Sequence, residues 1–140
     1  YRIFQNELIS SGHFLVEPEG AVRFFMFRNR LLPSASVDSS FYTDLARNVQ
    51  VNAIIRGKIT DVGVKNSRQI GNVPYLSLHV EMIEARNGRM ILSSFHSRAG
   101  DEYQKAMHFG VVRTMSELIA RVSHEIINDW YDKGIGDCQK

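Results

Sequence analysis

The sequence is poor in the residues that would assign it quickly to a structural class. It has one cysteine, Cys138, in 140 residues, so it can form no internal disulfide, and no histidine stands at a spacing typical of a thiol nucleophile. It has no repeat, low-complexity tract or Pro/Gly-rich linker. No apolar run reaches the roughly 18 residues that a membrane-spanning helix needs. These absences exclude a disulfide scaffold, a repeat protein and a membrane span formed by a helix of this sequence.

An excess of one charge is also absent. The 17 Lys and Arg residues nearly balance the 15 Asp and Glu residues, for a formal net charge of +2. Dedicated nucleic-acid-binding domains concentrate basic residues far more strongly. The densest basic cluster alternates arginines with aromatic rings, and it consists of Arg23, Phe24, Phe25, Phe27, Arg28 and Arg30. This alternation is compatible with base stacking beside phosphate contacts, but we favour an amphipathic helix with its apolar residues inside and its arginines outside.

What the sequence does contain is typical of one globular domain. It is 44% hydrophobic and 23% charged, and 140 residues are enough to bury a core without disulfides or metals. We therefore expect a single domain over residues 1–140. Because the sequence starts at Tyr1 inside a predicted helix, we also expect that a first strand and a signal peptide precede it.

Helical periodicity in the N-terminal half predicts three helices, over residues 1–11, over residues 19–32, and from Asp38 or Ser39 to Arg47. The short apolar run 13–17 predicts a buried strand, because Pro18 follows it. The longer pattern 51–64 predicts a strand with a bulge or bend at its glycines. The polar residues 65–73 predict a flexible loop.

The C-terminal half contains the strongest local signal. Two alternating apolar runs, 74–86 and 89–98, flank Asn87-Gly88, which is typical of a two-residue hairpin turn because both residues must adopt positive φ. Residues 101–133 carry apolar side chains at i, i+3, i+4 spacing and predict a long helix that packs across the sheet. The expected fold class is α+β, with a mixed β-sheet, helices packed mainly on one face, and a C-terminal β-hairpin followed by a long helix.

A two-residue turn would fix the register of this hairpin. Val80 then lies opposite Phe95 on an apolar face. On the other face His79 lies opposite His96, with Glu81 diagonal to His96. Two imidazoles and a carboxylate can bind a metal ion, but cross-strand polar pairs on a solvated face are commoner. We therefore interpret these residues as a contact surface and predict no metal site.

Two features of the last helix suggest functions. His124 and Glu125 begin a pattern like the HExxH motif of zinc proteases, but Asn128 replaces the second histidine, so a required ligand is missing. Trp130 and Tyr131 are adjacent and therefore about 100° apart around the helix. One of the two rings can be exposed and stack on a sugar or a partner, and we expect Trp130 in the core and Tyr131 at its rim.

No catalytic constellation is apparent in the sequence. It has no serine nucleophile elbow, no phosphate-binding loop and no carboxylate pair that can be placed in one cleft. We therefore predict that the protein is not an enzyme and needs no cofactor. The candidate contact residues, for a partner or a polymer, are Trp130, Tyr131, His79, His96 and Glu81.

The order of elements and three motifs carry a resemblance to a known group. Residues 12–17 (GHFLVE) approximate a G-x-F-x-V-V-E segment, residues 53–59 (AIIRGKI) match an A-x-x-I-x-G-x-I strand, and residues 78–92 look like an L-x-V-x-x-V-x-A-R-T-G-x-x-L hairpin. Together they resemble the bacterial envelope lipoproteins that include the curli secretion component CsgG, the peptidoglycan-synthase activator LpoB and the polysaccharide export lipoprotein PelC. PelC-like proteins are favoured, because no long transmembrane hairpin insertion of the curli-channel kind is present.

The resemblance implies a periplasmic, outer-membrane-associated protein with an N-terminal lipid anchor upstream of this sequence, self-assembly into a homo-oligomer, and no catalytic residues. The expected function is that of a non-enzymatic accessory lipoprotein that assists exopolysaccharide export across the outer membrane. Its expected partners are an export channel or a cell-wall synthase and a polysaccharide, but no nucleic acid. Two alternatives stay open: a regulatory activator that binds a peptidoglycan synthase, and a metal-dependent hydrolase that uses His79 and His96.

Overall fold

The computed structural model describes residues 1–30, 39–68, 70–105 and 109–136. Its elements are, in chain order, α1 (Arg2–Ser11), α2 (Glu19–Arg28), α3 (Ser39–Val49), β1 (Ala53–Ser67), β2 (Gly71–Glu84), β3 (Met90–Ala99), a short 3-10 helix (Gly100–Tyr103) and α4 (Met115–Asp132). The end of the predicted helix 19–32, the cap at Asp38 and the lone Cys138 lie outside the described residues. Within those residues, no helix combines the length and the apolar character needed to cross a bilayer.

The three strands form one antiparallel sheet in the order β1-β2-β3, so β2 is central. The predicted α+β class is confirmed. The sheet is antiparallel and not mixed, because connections of three and five residues are too short for the crossover that a parallel pair requires. The predicted loop 65–73 is a tight connection, since β1 extends to Ser67. The four consecutive residues 80–83 of β2 are buried, so both faces of the strand are covered there.

The predicted strand 13–17 is wrong. These residues form no strand, and the side chain of Leu15 is 93% exposed. No described strand lies beside this segment to supply the backbone hydrogen bonds that a buried strand needs. An apolar run alone therefore did not specify a sheet position.

Contacts divide the chain into two compact units, and all three strands run through both. The first unit comprises Tyr1–Val16, Lys58–His79 and Phe95–Lys140. The second unit comprises Glu17–Gly57 and Val80–Ser94. Each unit therefore combines two helices with its own stretch of the three strands.

In the first unit, α4 packs beside α1 and supplies a large part of the core. Four residues of α4 recur at every fourth position and are almost completely buried, namely Leu118, Val122, Ile126 and Trp130. The ring of Trp130 meets Phe4 and Phe14 edge-on, with centroids 6.0 and 6.5 Å away. The predicted placement of Trp130 in the core is confirmed.

The long helix predicted over 101–133 is two elements. The 3-10 helix ends at Tyr103, Gly110 has a φ of +87°, and α4 begins only at Met115. Thr114 is the N-cap of α4, and its hydroxyl accepts a hydrogen bond from the amide of Glu117 at 3.3 Å. A left-handed residue cannot continue a helix, which explains the late start.

In the second unit, α2 packs beside α3 through one of its three phenylalanines. Phe25 is buried, with its ring 5.8 Å from that of Phe41. Phe24 and Phe27 are 67% and 82% exposed. The expectation that the apolar residues of this helix point inward is therefore wrong for these two rings, because residues 24, 25 and 27 cannot all face one side of a helix.

The β2–β3 connection also differs from the prediction. Gly88 has a φ of +68°, but Asn87 does not have positive φ. The amide of Gly88 donates to the carbonyl of Glu84 at 2.9 Å, and the amide of Glu84 donates to the carbonyl of Arg89 at 2.8 Å. The two common two-residue hairpin turns, types I′ and II′, both need positive φ at their first position, which Asn87 lacks, so this loop is wider and the predicted register is wrong.

Two matched glycine substitutions test the packing of the first unit. A Cβ on Gly100 would lie 2.0 Å from the carbonyl oxygen of Val112, whereas a Cβ on Gly20, in α2, would meet nothing within 4 Å. We expect Gly100→Ala to lower the free energy of unfolding by about 1–3 kcal/mol or more. Gly20→Ala should raise it by up to about 1 kcal/mol, because alanine favours helix. Urea denaturation measures both, and equal stability of the two variants would contradict this packing.

Candidate functional site

The predicted pairing of His79 with His96 does not occur. The hydroxyl oxygens of Ser77 and Ser97 are 3.0 Å apart, so these residues share one face of the sheet. Because side chains alternate along a strand, His79 lies on that face and His96 on the opposite one. The described residues include no group of three or more His, Cys, Asp or Glu side chains placed to hold a metal ion. The hydrolase alternative therefore loses the side-chain set on which it depended.

His96 lies on the face that α4 covers. Its neighbour two residues along, Arg98, donates through Nε to Glu125 of α4 at 3.0 Å. Burial and the charge of Arg98 lower the pKa of His96, and the carboxylates of Asp129 and Glu125 only partly oppose this. The Nε2 atom is buried without a hydrogen-bond partner among the described residues. His96 is therefore a partly buried imidazole beneath α4, and its lowered pKa favours the neutral form.

A shallow depression of about 360 Å³ lies beside α4, and charged side chains line it. His124 Nδ1 is 3.8 Å from a carboxylate oxygen of Glu7, and the guanidinium of Arg121 lies 5.3 Å from the centre of the Tyr103 ring. Burial and the nearby Glu125 carboxylate raise the pKa of the Tyr103 phenol, so it stays protonated. The charges here neutralise one another, which suits a structural network better than acid–base chemistry.

Glu81 has a structural role in the second unit. It is 9% exposed, and it accepts a hydrogen bond from Nε of Arg56, across the strand pair, at 2.7 Å. A second guanidinium nitrogen of Arg56 donates to the hydroxyl of Tyr42 in α3 at 2.8 Å. This bridge joins β1, β2 and α3, so Glu81 is held inside the unit and is not presented to a partner.

Tyr131 is the most exposed of the predicted contact residues. It is 43% exposed and stacks on His13, with ring centroids 3.8 Å apart and 19° between the planes. The stack covers one side of the phenol ring, so a second ring could pack only on the other side. Its neighbour Trp130 is 0% exposed and takes no part in this surface.

An apolar surface on the outer strands was not predicted. On β1, Val62 and Val64 are 50% and 65% exposed, and on β3 Ile91 and Phe95 are also exposed. Val62 and Val64 share one face of their strand by alternation. The alternation of apolar and polar residues was visible in the sequence. The local sequence does not show, however, whether another element of the fold covers the apolar side chains. We call the stretch of β1 from Asp61 to Lys65 the β1 edge patch.

Of the comparisons with known proteins, the one with solved structures identifies a similar fold. No family model matches the sequence, and no curated protein matches it. Among solved structures, lipoprotein GNA1162 from Neisseria meningitidis is similar, with a TM-score of 0.52, 16% identity, and coverage of 89% of this chain and 79% of that one. The hypothetical protein CT253 from Chlamydia trachomatis is similar, with a TM-score of 0.52, 14% identity, and coverage of 90% and 79%. The chain therefore has a fold found in a bacterial lipoprotein.

The covered His96 makes stability depend on pH. Because its pKa in the folded protein is below the ordinary value of 6.5, the unfolded chain takes up the proton first as the pH falls, and stability is lost. We expect the free energy of unfolding to decrease from pH 7.5 to pH 5 and His96→Phe to reduce that decrease. Asn128→Gln, which changes a non-titrating side chain at an exposed position of α4, is the control and should behave as the wild type. An unchanged pH dependence in His96→Phe would contradict the covered position.

Proposed function

We propose that the protein is a non-enzymatic accessory lipoprotein of the bacterial cell envelope, located in the periplasm at the outer membrane. It assists export of a polysaccharide as a homo-oligomer. The β1 edge patch is the observation that carries the proposal, because exposed apolar side chains on a strand that has one unpaired edge favour assembly over an isolated chain. The likeness to lipoprotein GNA1162 is consistent with an envelope role. The mutually paired charges beside α4 support a binding role in preference to catalysis.

The β1 edge patch fits a second copy of the same strand. β1 pairs only with β2 among the described strands, so its other edge has free backbone groups. In an antiparallel arrangement with a two-fold axis at Gly63, Val62 of one copy lies opposite Val64 of the other. Asp61 then lies opposite Lys65, and each pair occurs twice. Lys65 also contacts Asp101 within the chain at 2.9 Å. Its ammonium group has three N–H donors, so it can bind Asp101 and the Asp61 of the second copy at the same time.

The Tyr131–His13 stack is the proposed polymer contact. Sugar rings present C–H faces that pack on aromatic rings, and a phenol hydroxyl can bind a sugar hydroxyl beside them. One such contact is weak. Several copies in one oligomer would hold several positions of the same polymer, which raises the overall affinity without a deep site.

Self-association through the β1 edge patch is tested by sedimentation velocity over a wide concentration range. We expect the wild type to form dimers or larger species. Val64→Lys and Asp61→Lys should each shift the protein towards monomer, because the first places a charge on the apolar pair and the second opposes two lysines. Phe95→Lys, at an exposed position of β3, is the matched control and should associate as the wild type does. A wild type that is monomeric at all concentrations would contradict the proposal.

Polymer binding is tested separately by electrophoresis in native gels cast with bacterial exopolysaccharides of different charge. We expect one polymer to retard the wild type and Tyr131→Ala to lose roughly tenfold or more in affinity, in line with aromatic stacking. Phe109→Ala is the control, because Phe109 is 72% exposed at another place in the first unit. Equal retardation of the two variants would exclude the Tyr131–His13 stack as the contact. Recovery of a peptidoglycan synthase from membranes, with no polymer bound, would instead support the activator alternative.

A further inference from the structure

The helix α2 carries an exposed surface that the proposed function does not use. Phe24 and Phe27 are 67% and 82% exposed, and they are three residues apart, so both rings lie on one side of the helix. Phe25 holds α2 against α3 from the other side, with its ring 5.8 Å from that of Phe41. The helix is thus anchored by one ring while two rings point away from the unit. We call Phe24, Phe27 and the flanking arginines the α2 patch.

The charge around these rings has one sign. Residues 19–30 contain three arginines and one glutamate, so this short segment has a net charge of +2, equal to that of the whole chain. Glu19 forms an ion pair with Arg23 and neutralises its charge. Arg28 and Arg30 are exposed and form no ion pair with another described residue. They supply a positive charge beside the two rings.

The acidic residue of α3, the helix on which α2 packs, does not cancel this charge. Asp44 of α3 lines the same depression as Phe24 and Arg28, but it lies 3.9 Å from the guanidinium of Arg47 on its own helix. The α2 patch therefore combines two exposed aromatic rings with an uncompensated pair of arginines. A partner that accepts both features must be apolar inside and negatively charged at its surface.

We propose that the α2 patch docks on the surface of an anionic lipid bilayer. Exposed phenylalanines on a short helix insert at the boundary between headgroups and acyl chains, while arginines extend towards the headgroup phosphates. Two basic residues add electrostatic attraction to anionic lipids. Nucleic acid is a poorer match, because base stacking between phosphate contacts works along a basic groove, and the chain as a whole has little excess positive charge. The docking uses no residue of the β1 edge patch, so it stands or falls independently of self-association.

The test is co-sedimentation of the purified chain with sucrose-loaded vesicles. One set contains phosphatidylglycerol mixed with phosphatidylethanolamine, and the other contains phosphatidylcholine alone. We expect binding to the anionic vesicles, weak binding to the neutral ones, and a decrease as salt is raised. Arg28→Gln with Arg30→Gln should weaken binding about fivefold for each arginine removed. Phe24→Ser with Phe27→Ser should weaken it by about tenfold or more.

Matched controls distinguish binding through the α2 patch from non-specific adsorption to vesicles and from an effect of unfolding. Phe109→Ser and Arg89→Gln make the same chemical changes at other exposed positions, and they should bind as the wild type does. Far-ultraviolet circular dichroism and thermal unfolding should be unchanged in all variants, because the substituted side chains are exposed. In the folded protein, Phe27→Trp should give a blue-shifted emission component when anionic vesicles are added.

Three results would overturn the proposal. The first is no binding to anionic vesicles. The second is binding that the serine variants retain in full while the emission of Phe27→Trp does not change. The third is tighter binding of the patch to a single-stranded oligonucleotide than to vesicles, with the same loss in the serine variants, which would assign it to nucleic acid. Monomeric behaviour in sedimentation velocity affects only the proposal on β1.

Discussion

The packing of α4 against the sheet is the interaction on which the other features of the first unit depend. Leu118, Val122, Ile126 and Trp130 are almost completely buried, and each contributes about 1.5–3 kcal/mol relative to an exposed side chain. The ion pair between Arg98 and Glu125 places the helix over one face of β3. His96 lies on that face, and its lowered pKa favours the neutral imidazole. Tyr131, the residue after Trp130 in α4, lies outside the core and stacks on His13.

The helix α4 cannot cover both outer strands, β1 and β3, to the same extent. The apolar side chains that it leaves uncovered form the exposed surface of these strands. β2 is central and buried over much of its length, whereas β1 is exposed at most of its positions. An edge strand with apolar side chains invites pairing with another strand, and soluble proteins usually protect such edges with charge or with a bulge. Here Asp61 and Lys65 flank Val62 and Val64 with opposite charges. A strand with charges of one sign would repel another copy of itself, whereas these opposite charges favour pairing with a strand of complementary sequence. The surface properties thus follow from the same packing that forms the core.

Periodicity predicted the elements well where local pattern and tertiary packing agree. The spacing of Val122, Ile126 and Trp130 located the core stripe of α4, and the pattern around Asn87 located the hairpin. The register failed because Asn87 does not adopt positive φ, and a wider turn moved His79 and His96 to opposite faces. That difference separates the two histidines on which the hydrolase alternative depended, and nothing in the residue types alone could have shown it. The exposed Phe24 and Phe27 were missed for a related reason, since a run of aromatic residues does not show which of them the rest of the chain covers.

Amide hydrogen exchange, measured on the same protein at low and at high concentration, tests most directly whether the uncovered edge of the sheet is where the protein makes contact. We expect the amides of β1 between Asp61 and Lys65 to exchange more slowly at high concentration, because a second strand would take their free hydrogen-bonding positions. The amides of α4 should exchange equally slowly at both concentrations. Protection gained on α4 or on β3 instead of β1, or exchange that is independent of concentration everywhere, would contradict this assignment of the contact surface.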